Sequence, residues 1–241
     1  MLIKLKSLQN NSYDLQYQKK VMGFIYSLLK NTPLQNLHNQ KAPKMFCFSN
    51  IFPIGDIKEG DIRNLIISSP DRIFLQLLKY KIEQLDRIRI GEYAFKLEEI
   101  KFIKTNLKEE ENIKLKTATP IIVRIPLKNN YNINSNRIEY WRIEHPISCF
   151  LNQLEENIYK KYKNYYSKDV KKIQLFEKLK FIKTVAIKIP IQRNKDTTMI
   201  GSLWEFEFEN LNKEKKEILE FGIDAGFGEK NSYGFGFINR I

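Results

Sequence analysis

The chain has 241 residues, of which 42% are hydrophobic; this suffices for one large domain or two small ones with buried cores and excludes general disorder. Its 41 Lys and Arg against 28 Asp and Glu give a formal net charge of +13. Such a surplus favours an anionic partner, first nucleic acid and then a membrane surface, although a lysine-rich surface from a compositionally biased genome is the alternative interpretation.

Cys47 and Cys149 are the only cysteines, and their separation makes neither a CxxC pair nor a disulfide framework. The N-terminal stretch MLIKLKSLQNN carries lysines where a signal peptide requires an unbroken apolar run. The sequence also lacks an apolar run of the roughly 18 residues that a membrane span needs. These features predict a soluble protein of the cytoplasm, with no membrane contact.

The first half of the chain predicts the order strand, helix, two strands, helix, strand. Residues 2–8 alternate apolar and polar side chains as a half-buried strand does. Residues 17–30 carry apolar side chains at helical spacing, and Pro33 ends this helix. The remaining elements expected in this half are strands at 45–52 and 62–69, a helix at 70–84, and one strand region at 87–104.

The second half repeats this order after the acidic stretch 108–111, which contains nothing to bury. That stretch is the predicted linker between two domains, 1–112 and 113–241. The expected elements are a strand at 118–127, a helix at 147–166, strands at 180–191 and 199–209 joined as a hairpin through 192–198, a helix at 212–221 and a last strand at 233–241.

The order βαββαβ, present twice, is typical of the ferredoxin-like fold. In this fold both helices pack on one face of an antiparallel sheet and the other face stays open. We therefore predict an α+β protein of two tandem ferredoxin-like (RRM-like) domains. A basic open sheet face, or the cleft between two such domains, is suited to single-stranded RNA.

The stretch GFGEKNSYGFGF, residues 226–237, holds four of the ten glycines. This stretch follows a helix and precedes a strand, whereas a Walker loop or a Rossmann fingerprint follows a strand and precedes a helix. It also lacks the GK[ST] of a Walker loop, so both motifs are excluded. It is not an RNP1 motif either. RNP1 requires Lys or Arg at the position of Tyr233, and RNP1 lies on a central strand that is followed by a helix and another strand. Two interpretations stay open: a loop that turns backbone N–H groups outward to a phosphate, or a helix C-cap followed by a tight turn.

The segment Gly226 to Gly236, of the form GFGxxxSxGFG, closely resembles the C-terminal glycine-rich motif of the CRISPR-associated endoribonucleases that cut repeat RNA into guide RNAs, members of the RAMP superfamily. Residues 21–48 resemble the first helix and following loop of the archaeal members. Those members place a tyrosine on the helix, a histidine beyond it and a lysine in a Pro-Lys pair before a strand. The matching residues here are Tyr26, His38 and Lys44.

The resemblance implies a metal-independent endoribonuclease acting on CRISPR repeat RNA, single-stranded or weakly structured. A 2′-hydroxyl would attack the adjacent phosphate, which leaves a 2′,3′-cyclic phosphate and a 5′-hydroxyl. His38 would exchange protons, Tyr26 would be its partner or position the nucleophile, and Lys44 would stabilise the transition state. The RNA-binding residues implied by the glycine motif are Gly226, Gly228, Lys230, Ser232, Gly234 and Gly236.

Taken singly, these residues carry little weight: a lone histidine is most often a surface residue, and Tyr26 borders the apolar stripe of its helix. Together, an imidazole, a phenol and a fixed cation within nineteen residues supply base, acid and positive charge. His145, the other histidine, is expected to be structural, and no Cys/His cluster has zinc spacing. We therefore expect no metal and no cofactor, and leave open whether His38 or Tyr26 is the base.

Two other functions stay open. A non-catalytic RAMP-type RNA-binding subunit of a CRISPR ribonucleoprotein would share the fold, the charge and the glycine motif but would not need the three catalytic residues. A DNA-binding regulator would need a recognition helix for the major groove, and the sequence shows no clear helix-turn-helix pattern. Effector-complex subunits are further expected partners, and an apolar edge strand would permit a homodimer.

Overall fold

The structure is a computed structural model that describes residues 1–39, 42–108, 112–126, 138–192, 195–209 and 211–241. The elements of the first half are the strands β1 (Leu2–Ser7), β2 (Cys47–Phe48), β3 (Ile62–Ser68), β4 (Ile88–Ile90) and β5 (Tyr93–Lys101), and the helices α1 (Tyr17–Leu28) and α2 (Arg72–Glu83). The five strands form one antiparallel sheet in the order β2-β3-β1-β5-β4.

The second half forms its own sheet. Its elements are the strands β6 (Ile113–Thr117), β7 (Arg124–Pro126), β8 (Ile138–Tyr140), β9 (Lys178–Gln192), β10 (Lys195–Phe208) and β11 (Ile238–Arg240), and the helices α3 (Ile147–Tyr166) and α4 (Lys213–Ala225). The main sheet has the antiparallel order β11-β6-β10-β9, and β7 and β8 pair separately. None of the described helices has the length and apolar character needed to cross a membrane.

Both sheets have the same topology. In the first sheet, β1 lies between β5 and β3, and β2 lies beyond β3; in the second sheet, β6 lies between β11 and β10, and β9 lies beyond β10. In each half a helix lies in the connection between two strands, β1 and β2 or β6 and β9, that have a third strand between them, which is the split βαβ arrangement of the ferredoxin-like fold. The predicted fold class is confirmed.

One sheet and two helices share each hydrophobic core. In the first half, the alternation of β1 buries Ile3, and α1 places Val21 in the same core. In the second half, the indole of Trp204 on β10 stacks on the ring of Phe150 on α3, with centroids 4.4 Å apart. Each half therefore has a hydrophobic core of its own.

The strand region predicted at 87–104 consists of two strands. Gly91 has a φ of +60°, a left-handed conformation that glycine adopts without steric cost, and the chain reverses there from β4 to β5. The predicted hairpin of β9 and β10 is confirmed by their antiparallel register. Residues 193–194 of its turn lie outside the described residues.

The first strand of the second half was predicted at 118–127. This prediction was wrong, because the first strand is β6. Ile113 and Leu115 are buried and alternate with exposed lysines, a clear strand pattern. Pro120 interrupts the predicted run because it has no N–H for a sheet hydrogen bond. Residues 109–111 of the predicted linker lie outside the described residues, and the domain boundary at 112 stays a prediction.

The segment Gly226–Gly236, here called the glycine loop, leaves the end of α4 and folds back between the two halves. Gly234 and Gly236 have left-handed φ values of +84° and +69°, which do not occur in a regular strand. The last strand is therefore β11, and it does not begin at residue 233 as predicted. A Cβ on Gly236 would lie 1.9 Å from the carbonyl oxygen of Phe227. Only glycine fits there, because both the backbone conformation and the space exclude a side chain.

We expect Gly236→Ala to lower the free energy of unfolding by about 2 kcal/mol or more, since it adds left-handed strain and a backbone clash. Gly23→Ala is the matched control: Gly23 lies on α1, and a Cβ added there would have no neighbouring atom within 4 Å. In a helix this change stabilises by about 0.5–1 kcal/mol. Urea denaturation of both variants measures the difference, and equal effects would contradict the role given to Gly236.

Candidate functional site

A cleft of about 860 Å³ lies where the two halves meet. One wall is the segment 42–44 before β2; the other comes from β7, α3 and the glycine loop. The cationic side chains along the cleft belong to Lys44, Arg124, Lys160, Lys161 and Lys230, against the acidic Glu156 and Glu229. This surplus of positive charge suits an anionic, extended ligand.

The structure brings Tyr26 and His38 together. Tyr26 is on α1, and His38 is on the short 3₁₀ helix Gln35–Asn39 that follows it. Their rings meet edge to face, with centroids 4.8 Å apart and planes at 84°. Tyr26 also packs against Phe46, two residues after Lys44, with centroids 6.1 Å apart. The phenol and the imidazole are therefore neighbours, and Lys44 lines the cleft beside the glycine loop.

The phenol of Tyr26 is partly buried. Burial raises the pKa of Tyr26, the side chain of Ser232 in the glycine loop opposes this, and nearby Tyr233 adds to the rise. The net shift is upward, so the phenol keeps its proton at neutral pH.

The two histidines differ in their surroundings. His38 is exposed, and its Nδ1 lies 3.3 Å from Oδ1 of Asn39. In His145, Nδ1 accepts the backbone N–H of Arg142 at 2.9 Å, and Nε2 lies 3.1 Å from Oε1 of Glu139. Both ring nitrogens of His145 are engaged within the protein, which fits the structural role expected for it.

The glycine loop directs much of its backbone inward. The N–H groups of Glu229 and Gly236 donate to the carbonyl oxygens of Ile122 and Pro120, and the N–H of Phe227 donates to Gly236. One interpretation of the sequence was a loop that turns its backbone N–H groups outward to a phosphate. That interpretation was wrong for these three N–H groups, because each donates to a carbonyl oxygen of the protein. Of the six residues predicted to bind RNA, those that line the cleft are Gly228, Lys230 and Ser232. Lys230 is exposed, and the other five are buried.

Lys161 of α3 places a buried ammonium inside the glycine loop. Its Nζ donates to the carbonyl oxygens of Gly226 at 2.8 Å and Gly228 at 2.6 Å, and to Oδ1 of Asn231 at 2.6 Å. Burial lowers the pKa of Lys161 to about 7, while the three oxygens match the three N–H groups of the charged form. This residue was not predicted from the sequence; its only signal was a position on the buried face of α3, three residues after Ile158.

Arg124 is a second site residue that was not predicted from the sequence. Its Nε donates to Oε2 of Glu229 at 2.6 Å, and its backbone N–H donates to Oε1 at 3.2 Å. This pair ties β7 to the glycine loop and holds a guanidinium at the edge of the cleft. The Nε and Nη2 groups of Arg124 both face the Glu229 carboxylate, so the guanidinium is a link between these two elements.

Comparison with known proteins agrees with this fold. The chain superimposes on a solved structure described as an RAMP protein binding different RNA substrates, with a TM-score of 0.74, 23% identity and coverage of 100% of this chain and 98% of that one. The two proteins therefore share a fold. A family model described as CRISPR associated protein Cas6, C-terminal, matches residues 99–240.

Two curated relatives extend the match to the whole chain. CRISPR-associated endoribonuclease Cas6 2 of Methanocaldococcus jannaschii is 30% identical over 246 residues, which cover 99% of this chain and 98% of the relative. CRISPR-associated endoribonuclease Cas6 of Haloferax mediterranei is 26% identical, and the match covers 100% of this chain and 93% of the relative. The chain belongs to the Cas6 family of CRISPR-associated endoribonucleases.

We expect Lys161→Met to lower the free energy of unfolding by about 2 kcal/mol or more, because three buried oxygens lose their donor. Lys160→Met is the matched control, since the neighbouring Lys160 lines the same cleft but is exposed. Exposed substitutions of this kind usually change stability by less than about 0.5 kcal/mol. Urea denaturation of the two variants measures the contrast, and similar unfolding free energies would contradict the anchoring role.

Proposed function

We propose that the protein is an endoribonuclease that cleaves CRISPR repeat RNA to generate guide RNAs. The observation that carries this proposal is the contact of Tyr26 with His38 beside a basic cleft that Lys44 and the glycine loop line. The relatives named as CRISPR-associated endoribonucleases support it. The RNA substrates in the description of the RAMP structure support RNA as the ligand.

The proposed reaction needs no metal. The 2′-oxygen of one nucleotide attacks the adjacent phosphorus, the bond from phosphorus to the 5′-oxygen breaks, and the products are a 2′,3′-cyclic phosphate and a 5′-hydroxyl. A base takes the 2′-hydroxyl proton and an acid protonates the leaving oxygen. His38 and Tyr26, whose rings are in contact, supply these two proton-transfer groups in the proposal. The ammonium of Lys44 stabilises the charge on the phosphorane.

In this proposal the two domains have different roles, catalysis and RNA binding. The N-terminal domain, 1–112, carries the three catalytic residues, and the C-terminal domain, 113–241, carries the RNA-binding loop. Lys230 is the exposed cation of the loop and contacts phosphate, while the buried glycines hold the backbone in shape. Single-stranded or weakly structured repeat RNA fits a cleft that is open and basic.

We expect His38→Ala to cleave repeat RNA about 10²- to 10⁴-fold more slowly while it binds nearly normally, because a positioned proton-transfer group is lost. His145→Ala is the matched control and should cleave at the wild-type rate. Gel assays on labelled repeat RNA in EDTA measure cleavage and metal dependence together. A wild-type rate for His38→Ala would remove the residue from the mechanism, and loss of cleavage in EDTA would show a metal requirement.

A single 2′-deoxy nucleotide immediately upstream of the scissile phosphate should block cleavage completely, because it removes the nucleophile. The same substitution one nucleotide further upstream is the control and should leave cleavage intact. Persistent cutting of the first RNA would exclude the 2′-hydroxyl mechanism. Tight binding of unmodified repeat RNA without cleavage would instead favour the RNA-binding subunit, and equal binding of DNA and RNA of one sequence would favour the DNA-binding regulator.

A further inference from the structure

We propose that Tyr233 is a nucleobase-stacking residue: one face of its ring, which is open to the cleft, receives a base of the repeat RNA. This inference rests on the proposed function and deepens it, because it adds a contact to a base where the other residues of the cleft supply proton transfer and phosphate contacts. Among the described residues that line the cleft, Tyr233 is the only aromatic one.

The glycine loop holds Tyr233 in a fixed place. Tyr233 ends the 3₁₀ helix Asn231–Tyr233, and its backbone N–H donates to the carbonyl oxygen of Lys230 at 2.9 Å. The next residue, Gly234, packs so closely on the first half that an added Cβ would lie 2.5 Å from the ring of Phe48. A stacking surface with little freedom of its own loses little entropy when a base is placed on it.

The ring of Tyr233 contacts both the protein interior and the cleft. On the interior side it packs against a small buried cluster that consists of Ile122, Ile189, Met199 and Phe235. The ammonium of Lys230, an exposed side chain, lies over the ring at 5.7 Å from its centroid. Because Lys230 itself lines the cleft, the ring face that it covers is the face that a ligand in the cleft reaches.

A base can displace the ammonium of Lys230 from this ring. An exposed cation–π contact strengthens an interaction about 2- to 5-fold, whereas stacking of a base on an aromatic ring strengthens binding about 5- to 150-fold. When RNA enters the cleft, the ammonium gains a phosphate partner and the ring face gains a base. Lys230 and Tyr233 then bind the two chemical parts of the strand, its backbone and one of its bases.

The test compares Tyr233→Leu, which removes the ring but keeps an apolar side chain, with Tyr233→Phe, which keeps the ring. The Kd is measured for repeat RNA that carries the 2′-deoxy nucleotide that blocks cleavage. We expect Tyr233→Leu to weaken binding roughly tenfold and Tyr233→Phe by less than about twofold. Tyr140→Leu is the matched control and should bind as the wild type does, because Tyr140 packs against the same buried cluster but lies outside the described lining of the cleft.

Two further measurements separate a stacked base from a phosphate contact. Because stacking releases no counterion, the slope of log Kd against log salt concentration should be unchanged in Tyr233→Leu and smaller by about 0.7 in Lys230→Met. An abasic nucleotide at one position of the RNA should weaken wild-type binding roughly tenfold, with no further loss in Tyr233→Leu. Exchange of that base for another should have little effect, since every base has an aromatic face.

Equal binding by Tyr233→Leu and the wild type would overturn the proposal, as would a Tyr233→Phe variant that binds as weakly as Tyr233→Leu. An unchanged Kd with a slower saturating cleavage rate would assign Tyr233 to proton transfer and also overturn it. If Tyr233→Leu does not fold, irradiation of the wild-type chain with repeat RNA that carries 5-iodouracil replaces it: a cross-link at Tyr233 is expected, and cross-links to other residues alone would overturn the proposal. Binding with all the expected properties but without cleavage would refute the proposed function and support the stacking role.

Discussion

The buried ammonium of Lys161 holds the glycine loop in the conformation on which the cleft depends. Carbonyl oxygens from two glycines and the side chain of Asn231 converge on it, and all three would be left without this donor if the ammonium were removed. Glycine makes the required left-handed turns accessible but does not by itself select one loop shape. The side chain of Lys161 then restrains the loop, because three oxygens of the loop lie within hydrogen-bond distance of its Nζ.

The two halves, each with its own hydrophobic core, meet at the glycine loop, and the cleft lies at this contact. Each sheet buries its own apolar side chains, so the contact between the halves depends on a few close approaches, such as Gly234 against Phe48 and the thiol of Cys47 against the carbonyl of Ile223. Small residues allow the backbones to come close at the base of the cleft. Lys44, Lys160 and Lys230 line the cleft above this contact.

The positive charge of the chain is not spread evenly over its surfaces. On the exposed side of the second sheet, Lys114 pairs with Glu207 at 2.8 Å and Lys116 pairs with Glu205 at 2.9 Å. Such exposed pairs add little stability. Lys178 and Lys180 of β9 lie opposite the same two glutamates, so this face of the sheet keeps a positive surplus, as the cleft does.

The fold class could be predicted from the sequence, because alternation and helical spacing are local patterns. The strand β6 was missed, because the proline-containing run next to it looked equally apolar. The sequence also identified Tyr26, His38 and Lys44 as candidates from a local resemblance. Only in the folded protein does Lys161 reach Gly226, Gly228 and Asn231 of the glycine loop. Those contacts join distant parts of the chain, and they depend on how two finished domains dock, which no local periodicity encodes.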